Sequence, residues 1–96
     1  MPKGYVIARI TVHDEEAYKA YIPVATAAME LFGGRPLVRG GRMETLEGEG
    51  RKRNVVIAFD SFEQARAFYL SPEYQQAVAL RQPVSTADVV VVEGLE

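Results

Sequence analysis

The sequence predicts a single α+β domain, residues 1–96, in which helices cover one face of a four-stranded antiparallel sheet. Three observations lead to this prediction: apolar residues alternate or run together in four segments, helical spacing recurs between them, and glycine or proline separates the segments. An apolar fraction of 48% and a charged fraction of 25% are typical of a folded globule with one modest core.

The first half of the chain predicts a strand, a helix and a second strand. Residues 4–12 carry apolar side chains on both faces, so both faces are expected to contact other groups. Asp14 is expected to cap one helix, which ends at Gly33 and Gly34 because glycine adopts the left-handed conformation at no steric cost. The second strand is predicted over residues 36–46, with paired glycines at 40–41 indicating a bulge or a close backbone approach. The apolar stripe of the helix consists of Tyr18, Tyr21, Ile22, Ala25, Met29 and Phe32.

The second half predicts a strand, a broken helix and a final strand. Residues 53–59 form the third strand, and either Asp60 or Ser61 is expected to cap the helix that follows. A Ser-Pro pair at 71–72 breaks this helix, and its proline suits the first turn of the next one. The last strand covers residues 88–93. The resulting β-α-β-β-α-β order is the ferredoxin-like arrangement.

The sheet face away from the helices is predicted to remain apolar. Side chains alternate between the two faces along the first strand, and one set includes Ile7 while the other includes Ile10. An isoleucine therefore points outward in either case, and the four valines at 89–92 cannot all face the helices. An exposed apolar surface of this size marks an interaction site. We therefore expect a homodimer that packs sheet against sheet.

Composition argues against several classes of partner and cofactor. The chain has no cysteine, which excludes disulfides and thiolate chemistry, and its net charge of -2 gives no reason to expect a nucleic acid. The basic run at 51–53 is interpreted as a solvated turn, since the third strand shows no alternation of aromatic residues for base stacking. We expect no metal, because the hairpin glutamates are spaced for solvent, and no bound cofactor. Without a membrane span or a signal peptide, a cytoplasmic protein with no membrane partner is expected.

Several segments together resemble a known family. They are residues 33–41 (GGRPLVRGG), 59–63 (FDSFE), 71–75 (SPEYQ) and 92–94 (VEG), with KGY at 3–5. They resemble the domain of unknown function 1330 family, and the resemblance spans nearly the whole chain. It implies membership of the dimeric α/β-barrel superfamily, and hence the same sheet-to-sheet dimer. His13 departs from the small polar cap expected at its position.

The residues most suited to a ligand pocket are four tyrosines and one arginine. A tyrosine packs its ring and still presents a hydroxyl group, and an arginine that points into a cavity binds a carboxylate or enolate oxygen. The alternative is that the tyrosines are core aromatics and that Arg39 forms an ion pair. The helix break at 71–72 is the expected pocket mouth. The candidate residues are Tyr18, Tyr21, Arg39, Tyr69 and Tyr74.

The predicted function is that of a small-molecule-binding protein of the dimeric α/β-barrel type. If it is an enzyme, we expect cofactor-independent chemistry on an aromatic or enolisable compound, with Arg39 stabilising negative charge and Tyr21 or Tyr69 orienting the substrate. One alternative is a haem- or flavin-handling relative that uses His13 or a tyrosine as ligand, although His13 is expected to face solvent. The other alternative is a non-catalytic interaction module with a filled core.

Overall fold

A computed structural model describes residues 2–95 of the chain. In this range the helices and strands alternate in the predicted β-α-β-β-α-β order, with the first helical segment divided into α1 and α2 and the second into α3 and α4. The elements are β1 (Gly4–Val12), α1 (Glu15–Tyr18), α2 (Tyr21–Leu31), β2 (Arg35–Arg39), β3 (Arg53–Phe59), α3 (Phe62–Leu70), α4 (Pro72–Arg81), a 3₁₀ turn (Gln82–Val84) and β4 (Ser85–Glu93).

The four strands form one antiparallel sheet in the order β2-β3-β1-β4. The central strand β1 pairs with both neighbours, so that Val6 lies opposite Ile57 on one side and Val91 on the other. The predicted α+β, ferredoxin-like class is therefore confirmed. None of the helices within residues 2–95 has both the length and the apolar character needed to cross a membrane.

The helices pack on one face of the sheet, and alternation along β1 decides which side chains they cover. Val6 and Ile10 are buried on that face, whereas Ile7 and Arg9 point to the other. The centre of the core is aromatic: Phe59 and Phe68 are both 0% exposed, with ring centroids 5.0 Å apart. These two residues anchor α3 to the sheet.

The first predicted helix is interrupted, and Pro23 explains why. Asp14 caps α1 as predicted, its carboxylate accepting a bond from the Ala17 amide at 3.1 Å. The amide of Ala20 then donates to the carbonyl of Ala17, three residues earlier, instead of four residues earlier as in an α-helix. A proline has no amide hydrogen and its ring displaces the carbonyl four residues earlier, here that of Lys19. The prediction of one continuous helix was wrong at this point.

The second strand is shorter than predicted. It ends at Arg39 rather than at residue 46, and no regular structure follows until Arg53. Gly40 turns the chain with a φ of 67°, a left-handed value that removes the next residues from the plane of the sheet. The last strand is longer than predicted, since β4 begins at Ser85 and not at residue 88.

The outer sheet face carries apolar side chains in its middle and charged ones at one end. Tyr5, Ile7, Val56, Val90 and Val92 share this face by their register. Val90 is 53% exposed. At the charged end the β2–β3 loop folds back onto the sheet, where Arg51 forms an ion pair with Asp88 at 2.9 Å.

Candidate functional site

A cavity lies between α2 and the part of the sheet formed by β1, β2 and β3. Its cavity volume is about 50 Å³, and counting all the empty space out to the open solvent at its mouth gives about 570 Å³. The sheet contributes apolar side chains from positions that alternate along β1 and β3, and α2 contributes the opposite wall. The lining residues from the sheet are Val6, Ala8, Ile10, Arg39, Arg53, Val55 and Ile57, and those from the helices are Tyr18, Tyr21, Ile22, Ala25, Thr26, Met29, Phe68 and Tyr74.

Three of the predicted tyrosines meet at this cavity. The rings of Tyr18 and Tyr21 lie 5.1 Å apart, because the two residues follow each other around the α1–α2 junction. The hydroxyl groups of Tyr21 and Tyr74 share a hydrogen bond of 2.7 Å. Burial raises the pKa of the Tyr21 phenol far above its ordinary value, and the adjacent Tyr74 raises it further. Tyr21 is therefore a neutral hydrogen-bonding group at physiological pH.

Arg39 reaches the cavity because of an irregularity in β2. The register shifts by one residue between Pro36 and Val38, so that Arg39 lies opposite Val55 on the helix-covered face. With regular alternation after Pro36, Arg39 would point to the outer face instead. Its guanidinium lies 3.9 Å from the sulfur of Met29, a weak acceptor. Arg39 is largely exposed and occupies the rim of the cavity.

Tyr69, the fifth candidate residue, lies outside the cavity lining. Its ring contacts Tyr74 from outside the cavity, with centroids 5.4 Å apart. The helix break beside it is not a pocket mouth either, because Ser71 is buried there. The hydroxyl group of Ser71 donates to the carbonyl of Phe68 and accepts a bond from the Tyr74 amide, which closes the junction between the two helices.

Sequence reasoning missed Arg53 as a cavity residue. The basic run at 51–53 was interpreted as a solvated turn, yet Arg53 is the first residue of β3 and lies opposite Ile10 on the helix-covered face. Its guanidinium lies 5.7 Å from the centroid of the Tyr18 ring. Alternation through Val55, Ile57 and Phe59 was the signal that could have identified it. The side chains of Arg51 and Lys52 do not line the cavity.

Two further polar residues, His13 and Arg9, lie away from the cavity. His13 is exposed, as predicted, and its Nε2 atom lies 2.8 Å from the hydroxyl group of Thr86. Arg9, on the outer sheet face, donates a hydrogen bond of 3.3 Å to the carbonyl of Glu49. Within residues 2–95, no three histidine or carboxylate side chains are grouped closely enough to hold a metal ion.

The side chains around the cavity favour binding over proton abstraction. Its lining within residues 2–95 contains two arginines, three tyrosines and a threonine but no carboxylate, histidine or lysine. Carboxylates, histidines and lysines are the usual general bases, and the raised pKa of Tyr21 makes this phenol a poor one. The cavity is suited to an apolar ring that carries a negatively polarised oxygen.

The match to a family model agrees with this fold. Residues 3–95 match the model of the domain of unknown function (DUF1330) family. The chain belongs to this family. A search of proteins with curated descriptions finds no match to this DUF1330 protein.

Solved structures similar to this DUF1330 protein share its fold at low sequence identity. A protein of unknown function from Rhodopseudomonas palustris is 18% identical, with a TM-score of 0.77 over 99% of this chain and 84% of its own. A dimeric ferredoxin-like protein of unknown function from Jannaschia sp. CCS1 is 11% identical, with a TM-score of 0.74 over 94% and 97% of the two chains. SnoaB, a cofactor-independent oxygenase from Streptomyces nogalater, is 14% identical, with a TM-score of 0.69 over 100% and 96%.

Proposed function

We propose that this protein is a homodimer that binds a small organic compound, aromatic or enolisable, in the cavity between α2 and the sheet. The observation that carries the proposal is the convergence of Arg39 and the Tyr21–Tyr74 hydroxyl pair on one apolar cavity. Small-molecule sites are typically apolar clefts with a few converging polar groups. The ring of the ligand would contact the valine and isoleucine side chains, and its oxygen atoms would face the polar groups.

If the protein is an enzyme, we propose cofactor-independent chemistry in which the substrate supplies its own reactive anion. Arg39 would stabilise the negative charge on an enolate or phenolate oxygen, and Tyr21 would orient the substrate by a hydrogen bond. The shortage of general bases in the lining favours a compound that ionises readily by itself. The similarity in fold to SnoaB, a cofactor-independent oxygenase, makes this class of chemistry a reasonable one to test.

We propose that the outer sheet face forms the dimer interface. The apolar side chains of Ile7, Val56 and Val90 lie side by side there without a helix to cover them. Packing a second copy of the protein against this face is favourable, because it removes the apolar surface from water. Similar structures described as dimeric, such as that from Jannaschia sp. CCS1, support the same assembly.

Native mass spectrometry of the freshly purified protein tests both parts of this proposal. We expect a dimer that carries the additional mass of a small organic molecule, and that mass would identify the class of ligand. A haem or flavin mass would favour the alternative cofactor-handling function. A monomer at micromolar concentration would contradict the proposed assembly.

Two charged substitutions test the interface directly. Val90→Asp places a carboxylate in the proposed interface, and we expect dissociation of the dimer because an unpaired buried charge costs about 2–5 kcal/mol. Leu80→Asp is the matched control, because Leu80 is 41% exposed on α4, on the helix side of the sheet. Analytical ultracentrifugation measures both variants. If Val90→Asp remains as dimeric as Leu80→Asp, the interface lies elsewhere.

A further inference from the structure

The structure assigns a second set of polar groups in the cavity that the proposed function leaves unused. The Tyr18 hydroxyl group and the Nε atom of Arg53 are both buried without a hydrogen-bond partner of good geometry within residues 2–95, as is the Nε atom of Arg81 outside the cavity lining. Burial raises the pKa of the Tyr18 phenol, and the Arg53 guanidinium close beside it offsets part of that rise. Tyr18 is 3% exposed as a whole. Buried polar atoms are nearly always paired in folded proteins, so two such atoms beside one cavity indicate a group that the protein itself does not supply.

We infer that Arg53 and Tyr18 form an anion subsite, which binds the carboxylate or other negatively charged oxygen of the ligand. Both groups donate hydrogen bonds, and the guanidinium of Arg53 keeps its positive charge at any physiological pH. An anionic oxygen that accepts from both would satisfy the two unpaired donors at once. This inference rests on the proposed function, because it needs a ligand in the cavity, and it narrows the class of ligand to organic acids.

The charges around Arg53 support an anion and argue against an internal partner. No carboxylate lines the cavity, and none of the ion pairs within residues 2–95 involves Arg53. The adjoining depression adds Lys19, Lys52 and one carboxylate, Glu15. A half-buried guanidinium without a counter-ion is costly, and an anionic ligand removes that cost.

The local backbone is also shaped around Arg53. A Cβ atom at Gly40 would lie 2.6 Å from an Nη atom of Arg53, so that a larger residue at position 40 would displace the guanidinium. Gly40, the first of the paired glycines at 40–41, therefore makes room for an arginine of the neighbouring strand, whereas a Cβ atom at Gly41 would have no neighbour within 4 Å. A third arginine, Arg81, is 4% exposed and stacks 5.8 Å from the Tyr21 ring, which adds positive charge behind the tyrosines.

Binding of two matched probes tests the subsite. Benzoate and benzamide have the same ring and nearly the same shape, and only benzoate is charged. We expect NMR shift changes at cavity residues for both probes and about tenfold tighter binding of benzoate. Arg53→Gln should remove this preference, and Tyr18→Phe, which keeps the ring, should reduce it. Arg66→Gln removes an exposed arginine of α3 and serves as the control.

Four outcomes separate this inference from the proposed function. Loss of the benzoate preference in Arg53→Gln, with the preference kept in Arg66→Gln, supports the subsite. If Arg39→Gln removes the preference and Arg53→Gln keeps it, the anion binds at the rim and the inference is overturned. Equal binding of the two probes to the unmodified protein overturns it too, while leaving the cavity as a binding site. If neither probe shifts any lining residue, both proposals fall.

Discussion

The strand β3 shows two different solutions to packing on one face. Its helix-facing residues run from Phe59, which is 0% exposed, through Ile57 and Val55 to Arg53. At the Phe59 end, the strand packs in the core with Ala65 and Phe68 of α3, which are both 0% exposed. At the Arg53 end, the same face borders a cavity that Leu or Met could have filled. This contrast is one reason for our proposal that the cavity holds a ligand.

The largest expected change in stability comes from truncating a core side chain at the Phe59 end of β3. Phe59→Ala should lower the free energy of unfolding by about 3–5 kcal/mol, because it removes a fully buried ring and leaves a void. Ile57→Ala, on the same face but beside the cavity, should lower it by only about 1–2 kcal/mol, because that side chain already borders empty space. Urea unfolding measures both, and equal losses would mean that the two ends are equally well packed.

A smaller effect is expected at the glycine that makes room for Arg53. Gly40→Ala should lower the free energy of unfolding by about 1–2 kcal/mol, because φ is left-handed there and the new methyl group meets the guanidinium. Gly41→Ala is the control: a Cβ atom at this position has no neighbour within 4 Å, and the change should stay within about 0.5 kcal/mol. Thermal unfolding distinguishes the two, and equal shifts would contradict the close approach.

The smallest effect at neutral pH is expected for the tyrosine pair. Tyr21→Phe removes the 2.7 Å bond to Tyr74 and should lower the free energy of unfolding by about 1 kcal/mol. The pKa of Tyr21 is raised in the folded protein, so above about pH 10 the unfolded chain loses this proton first. The unfolded state then binds fewer protons than the native state, and stability falls as pH rises.

Unfolding at a series of pH values checks this sign. The decline above about pH 10 should be shallower in Tyr21→Phe, because phenylalanine has no proton to lose. Tyr69→Phe removes a hydroxyl group outside the cavity and should keep the decline of the unmodified protein. An equally steep decline in Tyr21→Phe would show that other groups cause the loss of stability.

The sequence predicted the elements with strong periodicity and clear caps. The cap at Asp14, the stop at Gly33 and the start at Pro72 are confirmed, since each depends on local backbone chemistry. Of the two cap candidates left open, Asp60 and Ser61, it is Ser61 that caps α3. The break near Lys19 was also visible in the sequence as Pro23, four residues later, and was overlooked. The length of β2 was overestimated. Apolar and polar residues alternate after Gly40 as they would in a strand, but no strand pairs with them.

The candidate site was harder to predict because it depends on register. Tyr18 and Tyr21 are three residues apart, but Tyr74 lies far from them in sequence on α4, and helical spacing shows only that the rings point inward. Arg39 reaches the cavity because of the register shift in β2, and no local sequence pattern indicates that shift. Tyr69 has the same chemistry and a similar position beside the helix break, yet it packs outside the cavity.

By itself the sequence determined the α+β class, the order of the elements and the apolar character of both sheet faces. These features follow from periodicity and capping, which act within a few residues along the chain. Only the tertiary structure decided that Arg53 and Tyr18 share a cavity and that the glycine at position 40 makes room for Arg53. Those contacts join residues far apart in sequence, and strand pairing and packing, not local preference, fix their distances.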